Sequence, residues 1–177
     1  MAKRKTKKVS SLAALLFGVM CVLLILNFAL PLLTSKAGVS GIGSTDEKNY
    51  GLFTLLEGMS DSDDMSSDAA YAKIKFFSGD ESSAKVFTVL SLVCAIVGCL
   101  GAAYAVVCVL KPKQGKYMKV VGALVALIAI VTFVFAIVTT SAFSSDGTLK
   151  ITVAMGIAPI LTLVGGLGAV AVPFVVK

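Results

Sequence analysis

Four cysteines are the most reactive side chains in this chain, and their positions decide what they can do. Cys21, Cys94, Cys99 and Cys108 all fall inside long apolar runs. Thiol–disulfide exchange needs an accessible thiolate, and Cys94 and Cys99 are spaced too widely for a Cys-x-x-Cys motif. They read instead as small buried hydrophobes. Cys108 lies near a lysine-rich loop, where palmitoylation is the one modification its position suggests in a eukaryote. The second cluster is acidic: Asp61, Asp63, Asp64 and Asp68. Read as a calcium loop from Asp61, it has Met65 at the fifth position and Ser66 at the sixth, where an oxygen ligand and glycine are required. What remains is a solvated, self-repelling turn, with opportunistic divalent-cation binding as the sharper alternative. Gly38, Gly41 and Gly43 superficially resemble a phosphate loop but lack the Gly-Lys-Ser/Thr ending and a preceding strand, and they read as a linker. The chain contains no histidine, which removes the usual base of a hydrolytic triad and the commonest metal ligand. No catalytic residue, cofactor or metal is expected.

The elements that would position such groups are membrane helices. Hydrophobic residues make up 57% of the 177 and charged residues only 15%. Stretches from Leu12 to Leu33, Val86 to Leu110, Val120 to Ala142 and Ile151 to Val176 are free of Lys, Arg, Asp and Glu. Each reaches the roughly 20 residues a helix needs to cross a hydrocarbon core. One central charge would cost about 2.5–3.5 kcal/mol on insertion scales. The expected organisation is a basic tail (1–10), a first span (11–33), an acidic segment (34–85), a second span (86–110), a basic loop (111–119), a third span (120–143), a short loop (144–150) and a fourth span (151–176).

Charge then predicts orientation. Lys3, Arg4, Lys5, Lys7 and Lys8 in the tail, and Lys111, Lys113, Lys116 and Lys119 in the middle loop, have no acid beside them, while the acids fall in the other two connections. Short basic segments stay cytoplasmic, which places both termini inside a cell membrane and the 34–85 segment outside. The net charge of +6 is thereby explained by lipid headgroups, and no nucleic-acid partner is expected. A cleavable signal ending at Ser35-Lys36-Ala37 is the competing reading of the first span, but signal cores run about 7–15 apolar residues and this one is longer.

Within the spans, small residues at four-residue spacing mark close helix approach: Gly98 and Ala102 with Cys94, Gly122 and Ala126, and a stripe of Ala154, Ala158, Thr162 and Gly166. Intramolecular packing is the plain reading, and a face for a second protein the sharper one. Asn27 is the one strongly polar residue of the first span and is suited to an interhelical hydrogen bond. Pro159 would free the carbonyl of Met155 deep in the bilayer, as in a broken-helix transporter. Ion and proton pathways, however, need ionisable groups at depth, and the spans hold none. In the 34–85 segment, the run Tyr50 to Leu56 suits a short strand or helix. Ser66 to Phe77 reads as an amphipathic helix capped by Ser67 or Asp68, with Tyr71, Ile74 and Phe77 on one face and Gly79-Asp80 as its stop. These pieces are too small to bury a core alone and should pack on the helix ends.

The plan of four spans with a long first outer segment is similar to the claudin-like tetraspan superfamily, and Gly51-Leu52-Phe53 resembles that family's Gly-Leu-Trp motif with Phe in place of Trp. The family's outer cysteines and the preceding tryptophan are absent here. The resemblance implies an outer domain of sheet character that makes protein contacts and has no enzymatic activity. The expected fold is an all-α four-helix membrane bundle with a small α/β or mixed domain between the first two helices. The expected function is a non-enzymatic scaffold or accessory subunit whose partner is a protein or a second copy of itself. Leu52, Phe53, Leu55, Leu56, Tyr71, Ile74 and Phe77 form the contact or docking set. A small transporter or channel component with a path at the fourth helix is the alternative.

Overall fold

The computed structural model describes residues 10–39, 42–60, 66–77, 83–143 and 149–176. The basic tail, the acidic turn at Asp61–Asp64, the Gly79-Asp80 stop and the Asp146-Gly147 turn lie outside them. Among the described residues, four helices are long and apolar enough to cross a membrane. Helix α1 (Ser11–Ile25) starts at Ser10, whose hydroxyl accepts from the Ala13 amide, and ends in a 3-10 turn over Leu26–Phe28. Helix α4 (Ser83–Leu110) and helix α5 (Met118–Ala142) are joined by a 3-10 run, Pro112–Tyr117. Helix α6 (Ile157–Val175) is the last. The chain is a helical, multi-pass membrane protein. Helix α1 packs on α4 and α6, and α5 packs on the same two.

The fold departs from the sequence reading at one end of the bundle. Strands β1 (Leu33–Val39) and β2 (Ile42–Tyr50) form an antiparallel pair, and a third strand, β3 (Leu149–Met155), joins β1 on its other side. Gly38 and Gly43, read as linker, are therefore strand residues, with Gly38 at an irregularity in the register, while Gly41 lies outside the described residues. The fourth span also begins later than expected, since residues 151–155 are strand and not helix. Nineteen residues of α6 still reach about 28 Å, so the span does not need them. Side chains alternate as strand geometry requires. Leu33, Ser35 and Val153 are buried, whereas Lys36 and Thr152 are exposed.

The junction of sheet and helix explains why α6 starts where it does. The Gly156 amide donates to the Leu32 carbonyl at 2.9 Å and the Ala158 amide to the Pro31 carbonyl at 3.2 Å. Two of the helix's otherwise unpartnered first-turn positions are thus tied to the end of the first span. A Cβ on Gly156 would strike the Pro31 carbonyl, so this approach requires glycine. Pro159 is the third residue of α6, in the turn whose amides have no helical acceptor. It frees no carbonyl within the span, which corrects its reading as a mid-membrane break.

Helices α2 (Leu52–Met59) and α3 (Ser67–Ala72), with a wider π turn over Lys73–Phe77, cover the sheet end of the bundle. Ser66, not Ser67 or Asp68, caps α3, accepting from the Ala69 amide at 3.3 Å.

Candidate interaction surface

At the sheet end, apolar residues from the three strands, α2, α3, the π turn, α4, α5 and α6 meet in one core. The ring of Tyr50 stands edge-on to Phe76, centroids 5.2 Å apart, and Phe76 does the same to Phe143 at 5.2 Å and to Phe77 at 6.5 Å. Leu32, Leu33, Leu52, Leu55, Phe87, Val153 and Ala158 complete it, with Leu56 partly buried against it. Edge-to-face pairs contribute about 0.5–1.5 kcal/mol beyond their burial. The sheet, α2 and α3 therefore do not form a separate domain, because they share this core with α4, α5 and α6.

The expected contact set divides accordingly. Leu52, Leu55 and Phe77 are buried and Leu56 is half-buried, so these four hold the fold together. Phe53 and Ile74 are 64% and 72% exposed. Phe53 stacks on Phe28 at the end of α1, with centroids 5.9 Å apart and planes at 23°. Tyr71 belongs to α3, but its side chain is outside the described residues. Tyr71, Ile74 and Phe77 do not share a face as a regular helix would have them, since Ile74 is exposed and Phe77 buried. The π turn changes the angular step per residue and brings Phe76 inward. Tyr50 and Phe76, the aromatic centre of the core, were missed by sequence reasoning. Two adjacent phenylalanines at the end of an amphipathic run were the available signal.

Polar contacts fasten the covering helices. The Glu57 carboxylate at the end of α2 accepts from the Ser66 amide at 2.5 Å and from its hydroxyl at 3.0 Å, clasping the α3 cap. Lys73 donates to the Ser60 carbonyl at 3.1 Å. Lys36 pairs with Glu47 across the β1–β2 ladder at 3.1 Å, and Lys48 reaches Asp68 of α3 at the same distance. Asp68 is thus engaged by a lysine, and among the described residues no group of three or more His, Cys, Asp or Glu could hold a metal ion.

Inside the spans, the small residues meet other helices of the same chain. A Cβ on Gly98 would fall 2.8 Å from Leu24 Cβ on α1, and one on Gly122 2.6 Å from the Ala169 carbonyl on α6. Gly166 abuts Ala126 and Ala129 of α5. Ala102 is half-buried against the apolar cluster inside the bundle, and Ala158 is fully buried. Thr162 donates to Asn27 Oδ1 at 3.0 Å, joining α6 to the end of α1, both side chains being buried. Cys94 lies 3.3 Å from the Thr132 hydroxyl across α4 and α5. Ala154 breaks the expected stripe. It sits in β3 opposite Thr34 and is exposed, so a continuous Ala154–Gly166 helical face does not exist.

Compared with protein-family models, with curated proteins and with solved structures, the chain matches none of them.

Proposed function

We propose that this chain is a non-enzymatic scaffold or accessory subunit of the cell membrane, with both termini cytoplasmic and the sheet end outside. Its partner there is a protein or a second copy of the chain. The observation that carries the reading is Phe53. Its neighbours Leu52 and Leu55 are fully buried, while its own ring is 64% exposed and propped flat on Phe28. A rigidly supported aromatic is the kind of side chain that anchors protein contacts. The orientation rests on the basic loop and tail facing the cytoplasm.

Two findings turn the proposal away from the helix faces and from transport. The small residues of α4, α5 and α6 are occupied by contacts within the bundle, which favours the sheet end as the partner surface. The transport alternative drew on Pro159 and the glycines of the fourth span; Pro159 stands in the first turn of α6, and Gly165 and Gly166 lie against α1 and α5.

The test is isolation of the tagged full-length chain from its native membrane in mild detergent, with mass and partners recorded, beside Phe53→Ser. A stoichiometric partner or dimer lost on Phe53→Ser, with an unchanged elution profile of the chain itself, supports the reading. A monomer unaffected by the substitution sinks it.

A further inference from the structure

Toward the opposite end of the bundle, a groove of about 360 Å³ lies between α4 and α5, lined by Val97, Leu100, Tyr104, Val121, Leu124 and Ile128, among others. Its lining is wholly apolar, and Leu100 and Leu124 are exposed along its rim. From Val97 to Tyr104 the groove runs two helical turns, about 10 Å, within one leaflet of a hydrocarbon core about 30 Å thick. A second cavity, about 370 Å³, is formed by Lys111, Pro112, Lys113 and Gln114 in the connecting loop. The two are joined by one hydrogen bond: Tyr104, whose ring lines the apolar groove, donates its hydroxyl at 2.7 Å to the carbonyl of Gln114 in the basic cavity.

Each half alone is ordinary, but their juxtaposition is directional. An apolar slot ends at a polar ledge bearing two exposed lysines, in a loop that contains no acid. Among the described residues, Lys116 lies over Tyr117 at 4.5 Å and Lys119 over Phe174 at 4.4 Å, whereas Lys111 and Lys113 line the ledge itself. A chain-shaped apolar ligand with an anionic head fits this order of surfaces, and basic pockets between membrane helices recognise such headgroups. We infer that the α4–α5 groove is a site for an anionic phospholipid, its acyl chain between Val97 and Ile128 and its phosphate on Lys111 and Lys113. The site does not depend on what meets Phe53, since it lies at the other end of the bundle.

Native mass spectrometry of the full-length protein released from nanodiscs of equimolar phosphatidylglycerol and phosphatidylcholine tests it. The expected result is preferential retention of phosphatidylglycerol. Lys111→Gln with Lys113→Gln should lower that retention at least fivefold, since each lysine near an anionic surface is worth roughly a fivefold change. Leu124→Trp, which fills the groove from its exposed rim, should displace lipid while both lysines remain. Equal retention of the two lipids by the wild-type chain overturns the inference. Loss of selectivity in the lysine variant with undiminished retention in Leu124→Trp overturns it too, because the basic loop would then be acting without the groove. A dimer abolished by Leu124→Trp, with lipid retention unchanged, would assign the groove to a second copy and likewise overturn it.

Discussion

Replacing Gly156 by alanine isolates the joint between sheet and helix. The added methyl has nowhere to go: the atoms it would meet are the Pro31 carbonyl and the Leu32 carbonyl carbon, backbone that cannot rotate aside. The chain must part at this point, and the Gly156–Leu32 and Ala158–Pro31 hydrogen bonds lengthen or break. Each is worth about 0.5–1.5 kcal/mol, and overpacking adds about 1–3 kcal/mol. The sum is about 2–6 kcal/mol, which corresponds to a melting temperature lower by at least about 4 °C for a chain of this size. Gly51→Ala is the matched control, because nothing lies within 4 Å of a Cβ there and its backbone is extended. Gly51 is the N-cap of α2, where glycine is favoured over alanine, so that change should cost roughly 0.5–1 kcal/mol. The chain has no tryptophan, so the assay is thermal stability of a fluorescent-protein fusion, read as the monodisperse fraction after heating in detergent. Equal melting of Gly156→Ala and wild type, or equal losses in both variants, would refute the reasoning.

A double-mutant cycle on Asn27→Ala and Thr162→Val should give a coupling of about 0.6 kcal/mol, the average for hydrogen bonds between membrane helices, and at most about 1.7 kcal/mol; additive effects would show that the 3.0 Å contact contributes nothing. With the four native cysteines replaced by serine or alanine, Phe53→Cys should react with a membrane-impermeant maleimide on intact cells. Lys113→Cys should react only after permeabilisation, and the reverse pattern would invert the proposed topology.

The spans were legible because their signal is physical and one-dimensional, an uninterrupted apolar run of the right length. The sheet was not, for a reason visible at β3. Ile151 to Met155 is as apolar as the helix that follows, so an apolar run alone does not separate strand from helix. The punctuation was present in Gly156 and in Pro159, placed just inside a helix start. The 26-residue stretch Ile151 to Val176 also exceeded what a span requires. In β1, the burial of Ser35 against the core and the exposure of Lys36 follow a period of two, but Gly38, Gly41 and Gly43 pointed toward a linker. Tyr71, Ile74 and Phe77 were read as one helical face, yet Ile74 is exposed and Phe77 buried. Whether Phe53 or Leu55 turns inward depends on α2 docking against Phe28 and Tyr50, which no local pattern encodes.

The placement of β1 between β2 and β3 has a consequence for biogenesis. Leu33 pairs with Tyr50, its close neighbour in sequence, and with Met155, far along the chain. During synthesis the first partnership is available almost at once, whereas the second must wait until the connection after α5 has emerged. Through that interval one side of β1 presents a row of backbone groups, a surface prone to pairing with other strands. Contacts this distant in sequence are the slow ones to form. Maturation of the protein thus ends with a single late event, the arrival of β3, which closes the sheet and, through the Gly156 joint, seats the last helix against the first.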